Sequence, residues 1–145
     1  MRIISFTGRG HKNILALHDT TIEFTREKRL TKRGDCIILV DCTMAAKDIP
    51  GDFKRLMRDD HATLIFEIRV DHLFDTIIAH GSKNLTLEDP VSMVIRKSGY
   101  ISPRTVAIYA NKSARDLDRK LIGELQKEKR ASVTIKLITA IQDHI

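Results

Sequence analysis

Apolar and polar positions alternate with a period of two along several short stretches of the chain, the pattern of strands with one buried face. "ATLIFEIRV" (62–70) is the cleanest: Leu64, Phe66, Ile68 and Val70 face one way, and Thr63, Glu67 and Arg69 the other, with Ile65. "HLFDTIIAH" (72–80) follows with little room for a turn, so it is predicted to pair antiparallel with it. "SVTIKLITA" (132–140) alternates in the same way. "RIISFT" (2–7), "VSMVIRK" (91–97) and "TVAIYA" (105–110) read as strands too, the last two joined by "SGYISPR" as a hairpin connection. "CIILVDC" (36–42) is apolar on both faces, which predicts a central strand.

"NILALHDTTIEFT" (13–25) fits either one long strand or two short ones broken at His18-Asp19. As a strand it would turn His18 inward with Ala16, Ile22 and Phe24, and place Asp19, Thr21 and Glu23 on the other face.

The period changes to helical in two places. In "PGDFKRLMRD" (50–59), Phe53, Leu56 and Met57 stand at i, i+3, i+4, with Pro50 in the first turn. "SARDLDRKLIGELQKEK" (113–129) carries Ala114, Leu117, Leu121 and Leu125 as an apolar stripe, with Ile122 beside it. Its Ser113 and Asp116 have capping-box spacing. About eight strands and two helices, unevenly interleaved, predict an α+β fold on a mixed or largely antiparallel sheet. The 145 residues suit one compact domain. No internal repeat is evident from the sequence.

Composition narrows the setting. No stretch approaches the ~20 apolar residues that cross a bilayer, and the N-terminus lacks the apolar run of a signal peptide. A cytoplasmic protein without membrane contact is expected. Cys36 and Cys42, read as sharing one strand, would lie too far apart to pair, which fits a reduced compartment. Asparagine and glutamine total five, a tilt toward a thermophilic source.

Net charge is +6, and it is unevenly spread: residues 1–34 carry +5, residues 35–95 carry −5 and residues 96–145 carry +6. A basic face opposite an acidic one suits an anionic partner, nucleic acid included, or self-association into a homo-oligomer.

Phosphate-loop, zinc-protease, C-x-x-C and nucleophile-elbow motifs are all missing, and no cofactor is implied. His11, His18, Asp19, Glu23 and Asp35 are potential metal ligands, but one strand cannot aim them at one ion, so no metal site is predicted. Cys36 beside the basic Lys32-Arg33 could act as a nucleophile, with His11 or His18 as base and Asp35 nearby. This gives a hydrolase-like alternative built on His11, His18, Asp35 and Cys36. The leading expectation is instead a basic face for a phosphate-bearing ligand, using Arg33, Arg96, Lys97, Arg104, Lys112, Ser113 and Arg115. Tyr100 and Tyr109 are the only tyrosines, so contacts would go mostly to phosphates.

Taken together, "GHKNILALHDTTIEFT", "LTKRGDCI", "IRKS", "RT" and "ANKSARDL" give the chain a resemblance to a family of small, mostly archaeal proteins of unknown function. The resemblance implies a compact α+β protein. It implies no catalytic role for His11, His18 or Cys36.

Overall fold

The computed structural model describes residues 1–139. Eight strands and two short helices follow in the order β1 (Arg2–Arg9), β2 (Thr21–Thr25), β3 (Ile37–Leu39), α1 (Gly51–Met57), β4 (Thr63–Val70), β5 (Leu73–His80), β6 (Ser92–Arg96), β7 (Thr105–Ala107), α2 (Arg119–Leu125) and β8 (Arg130–Ile138). Single 3₁₀ turns, Ala46–Asp48 and Ala114–Asp116, precede the helices. The strands form two four-stranded sheets, β1-β8-β4-β5 and β3-β2-β6-β7. This is the expected α+β class with a largely antiparallel arrangement.

The two sheets join at both edges. Arg9 and Val40 exchange backbone hydrogen bonds at 2.8 Å each, and His80 and Ile108 do so at 2.8 and 2.9 Å. Eight strands are thereby linked in a barrel-like ring, with a single bridge at each junction between the sheets. The inward set is the alternating one: Leu64, Phe66, Ile68 and Val70 on β4, and Ala131, Val133, Ile135 and Leu137 on β8. Phe6 and Phe24 meet across the interior edge to face, with ring centroids 5.4 Å apart.

The barrel is internally duplicated, contrary to the reading of the sequence as free of repeats. β1, β2, β3, α1 and β4 correspond in order to β5, β6, β7, α2 and β8, and the 3₁₀ turns correspond as well. The likeness reaches single atoms. Gly10 and Gly81 each press against the end of a helix, where an added Cβ would fall 1.9 Å from Leu125 O and 2.2 Å from Met57 O. Ala16 and Leu87 both take left-handed backbone, at φ 52° and 54°. Arg26–Asp48 at 3.0 Å matches Lys97–Asp116 at 2.9 Å. The repeat escapes sequence inspection because few side chains persist; "GHKNILALHD" against "GSKNLTLEDP" is the visible trace.

Several predicted elements change under tertiary contacts. Of residues 13–25 only Thr21–Thr25 is a strand. Before it, the Leu17 and His18 N–H groups both bond to Asp35 O, at 3.1 and 3.3 Å, which holds the chain in a loop. The break does fall at His18-Asp19. β6 and β7 run parallel rather than as a hairpin, and so do β2 and β3. Thr105 pairs with Val94, so the connection needs to carry the chain back by only about two residues, and a short loop suffices.

β3 is shorter than predicted and ends its sheet, though the Arg9–Val40 bridge flanks it on the other side. Cys36 and Cys42 lie outside β3 at opposite ends, and both are free thiols. The predicted helix 113–129 is two pieces: Leu117 is extended, and the Asp118 carboxylate restarts the helix by accepting the Lys120 and Leu121 N–H groups at 2.8 and 3.1 Å. Pro50 is the N-cap of α1, not a residue of its first turn. The last residue of the predicted final strand, at position 140, lies outside the described residues.

Candidate functional site

β2 and β6 pair antiparallel about the Glu23–Val94 position, which is where the local two-fold relation passes. Ile22 and Phe24 belong to the core, so Glu23 and Thr25 project from the opposite face. Loops cover this face and make Glu23 a buried carboxylate. Ser92 Oγ donates to Glu23 Oε2 at 3.0 Å. Glu23 Oε1 is met more loosely, by Arg104 Nη1 at 3.5 Å and by the Cys36 thiol at 3.7 Å. Above these groups lies a hollow of about 440 Å³, whose wall includes Thr25, Gly34, Ile37 and Asp89.

A second hollow, of about 590 Å³, shares Glu27, Gly34 and Ile37 with the first, so the two are neighbours. His11, Lys12, Arg29 and Leu30 line it. A third, of about 220 Å³, touches His11 from the other side, between Arg9 and Lys28. His11 Nδ1 accepts the Asn13 N–H at 3.0 Å, which leaves Nε2 as the donor of the neutral ring.

The sequence-predicted catalytic residues fall at separate jobs. Burial and then the Glu23 charge push the Cys36 thiol up to about 11, so it is protonated at neutral pH. Among the described residues no hydrogen bond joins Cys36 to a histidine; its side-chain partners are Glu23 and Thr21. His18 is half-buried and turns its ring back on its own loop, with Nδ1 accepting the Thr20 and Thr21 N–H groups at 3.2 Å each. Asp35 contributes its backbone carbonyl to that loop. Among the described residues no group of three or more His, Cys, Asp or Glu side chains is placed to hold a metal ion.

Of the predicted ligand-binding residues, most are engaged internally. Lys97 pairs with Asp116 at 2.9 Å, and Lys112 with Asp75 at 2.5 Å. Ser113 donates through N and Oγ to the same Asp116 oxygen, at 2.9 and 3.0 Å. These N–H and O–H bonds, with Lys97, hold the Asp116 carboxyl down at about 2. Arg104 leans on Glu23. Arg96 donates to Thr105 and Ser102 and lies over the Tyr100 ring. Arg33 and Arg115 are exposed. The residues that sequence reasoning passed over are Lys12 at the rim and Thr25, Glu27, Asp89 and Ser92 in the walls. Lys28 and Arg29, also at the rim, belong to the stretch "REKRLTKRGD" (26–35), which reads from sequence as a basic turn able to border an anion groove.

The chain belongs to the family described as a domain of unknown function, DUF371, which matches residues 6–138. It is 46% identical over 121 residues to Uncharacterized protein MJ0206 of Methanocaldococcus jannaschii, an alignment that spans 83% of this chain and 89% of that protein. Among the described residues no helix is long and apolar enough to cross a membrane.

Proposed function

We propose that this protein binds a phosphate-bearing ligand, a nucleic acid or a nucleotide-like metabolite, through the basic edge formed by residues 9–12 and 28–33. One observation carries this reading. Arg9, Lys12, Lys28, Arg29, Lys32 and Arg33 are all exposed, and none has an ion-pair or side-chain hydrogen-bond partner among the described residues. Cations in that condition give up no internal contact when they meet a phosphate. Lys97, Arg104 and Lys112 would each first have to leave a carboxylate. The reading therefore shifts the anion site from a set lying mostly in the second half of the chain to cations of the first half, with Arg33 common to both. His11 stands between two hollows there, with Nε2 as a further donor.

The test is fluorescence anisotropy of a labelled single-stranded RNA, with a mononucleotide as competitor. Lys12→Glu with Arg29→Glu is expected to weaken binding about tenfold or more at low salt, while Lys97→Glu leaves it within about twofold. Absence of binding by both RNA and mononucleotide, or equal effects of the two substitutions, would overturn the proposal.

A further inference from the structure

The two halves of the barrel differ over the outer face of β2 and β6. On the β6 side, the Arg96 side chain lies across this face. Its Nε donates to Thr105 Oγ1 at 2.9 Å, its Nη2 to Ser102 Oγ at 3.2 Å, and its guanidinium stacks 4.9 Å above the Tyr100 ring. The residue in the corresponding place on β2 is Thr25, and the counterpart of Thr105 is Ile37. Neither of those two positions supplies a guanidinium; the one that reaches this side comes from Arg104 on the wall, 3.5 Å from Glu23 Oε1. The covering loop, residues 26–36, is also three residues longer than its counterpart, residues 97–104. A short side chain under a longer loop leaves the 440 Å³ hollow.

The floor of that hollow is a carboxylate with one oxygen loosely bonded. The Glu23 side chain is only 10% exposed, yet its Oε1 has just the 3.5 Å approach of Arg104 and the 3.7 Å thiol contact of Cys36. A carboxylate offers about four acceptor positions, and burial raises the value of each strong donor it gains. With Glu27 and Asp89 on the walls, three carboxylates face the single cation Arg104, so a cationic or donor-rich group is favoured over an anion.

We infer that this hollow binds a planar group with two adjacent N–H donors on the Glu23 carboxylate, either a guanidinium or the N1–H and N2–H₂ edge of a guanine base. The group would occupy the place that the protein's own Arg96 fills in the other half. Paired N–H donors match a carboxylate in two parallel hydrogen bonds, which gives selectivity over a simple amine. The site is separate from the basic edge, so it stands whether or not phosphate binds there.

The experiment is a ¹⁵N–¹H correlation titration of the whole chain with methylguanidinium, and separately with guanosine 5′-monophosphate against adenosine 5′-monophosphate, each to about 10 mM. The expected result is movement of the Glu23, Ser92, Cys36 and Arg104 amides. Methylguanidinium alone producing it identifies a guanidinium ligand; guanosine monophosphate without its adenosine counterpart identifies the guanine edge. Glu23→Gln should weaken binding about tenfold or more. Thr25→Arg, which supplies the twin's guanidinium from within, should abolish it in a chain whose spectrum stays dispersed. Should Glu23→Gln not fold, Thr25→Arg decides. The proposal is overturned by still amides in every titration, by equal response to the two nucleotides without one to methylguanidinium, or by binding that survives Thr25→Arg.

Discussion

His18 and Asp89 do the same work at equivalent points of the two halves. The Nδ1 of His18 accepts the N–H groups two and three residues ahead, those of Thr20 and Thr21, at 3.2 Å each. An Asp89 carboxylate oxygen accepts those of Val91 and Ser92 at 3.1 and 2.7 Å. Both backbone carbonyls then receive an N–H from a 3₁₀ turn, that of Arg115 at 3.1 Å and that of Lys47 at 2.9 Å. A histidine that looked like a ligand or a base in the sequence is the fastener of a loop. His18→Ala is expected to cost about 1 kcal/mol, the worth of a lost local hydrogen bond, and His18→Asp to recover most of it. Denaturant melts of the two variants check this.

Three glycines make opposite demands. Gly10→Ala would drive a Cβ into the backbone at Leu125, and Gly81→Ala would do so at Met57. Neither backbone can yield without moving a helix end. Each change is expected to destabilise by about 3 kcal/mol. Gly123 lies inside α2 with nothing within 4 Å of the added carbon, so Gly123→Ala should stabilise by about 1 kcal/mol. Thermal melts of the three variants side by side would show opposite signs.

Asp116 predicts a pH dependence. The Ser113 N–H and hydroxyl and the Lys97 ammonium hold its folded carboxyl at about 2, below the ordinary range. Its contribution is then fully present above the unfolded carboxyl's value of about 4 and is lost as pH falls through about 2. Asp116→Asn should lower stability by about 1 kcal/mol near neutrality, and the gap to the natural chain should close toward pH 2. Denaturant midpoints measured across that range give the answer.

The thiols provide a check on burial. Cys36 is pushed up to about 11 by burial and the Glu23 charge, and Cys42 to about 12 by burial. Iodoacetamide at neutral pH should label both slowly in the folded chain and readily in denaturant, because the thiolate is the reacting form. Rapid labelling of Cys36 in the folded chain would contradict the environment described for it.

What the sequence made legible was whatever a period of two or a helical period encodes. β4 and β5 with their tight hairpin, the inward faces of β4 and β8, and the apolar stripe of α2 all follow from spacing. What escaped it depends on contacts between distant segments. The loop before β2 keeps a strand-like pattern, yet Asp35 O takes its N–H groups from far along the chain. β6 and β7 run parallel because β7 starts beside Val94, a register that no local pattern encodes. The duplication persists in backbone conformation and closure, while the side chains that define the site diverge: Arg96 against Thr25, and Arg104 against Cys36. Such divergence becomes visible only when the two halves are laid over each other.

In the function proposed above, uncommitted cations between Arg9 and Arg33 meet phosphates. The RNA affinity of the natural chain, measured between about 50 and 200 mM salt beside Lys12→Glu with Arg29→Glu, tests this. Six cations engaged with a single strand would give a log–log slope approaching about −4, and loss of two contacts would make it shallower by about 1.4. A flat salt dependence, a slope unchanged by the double substitution, or no binding at the lower salt would contradict the claim.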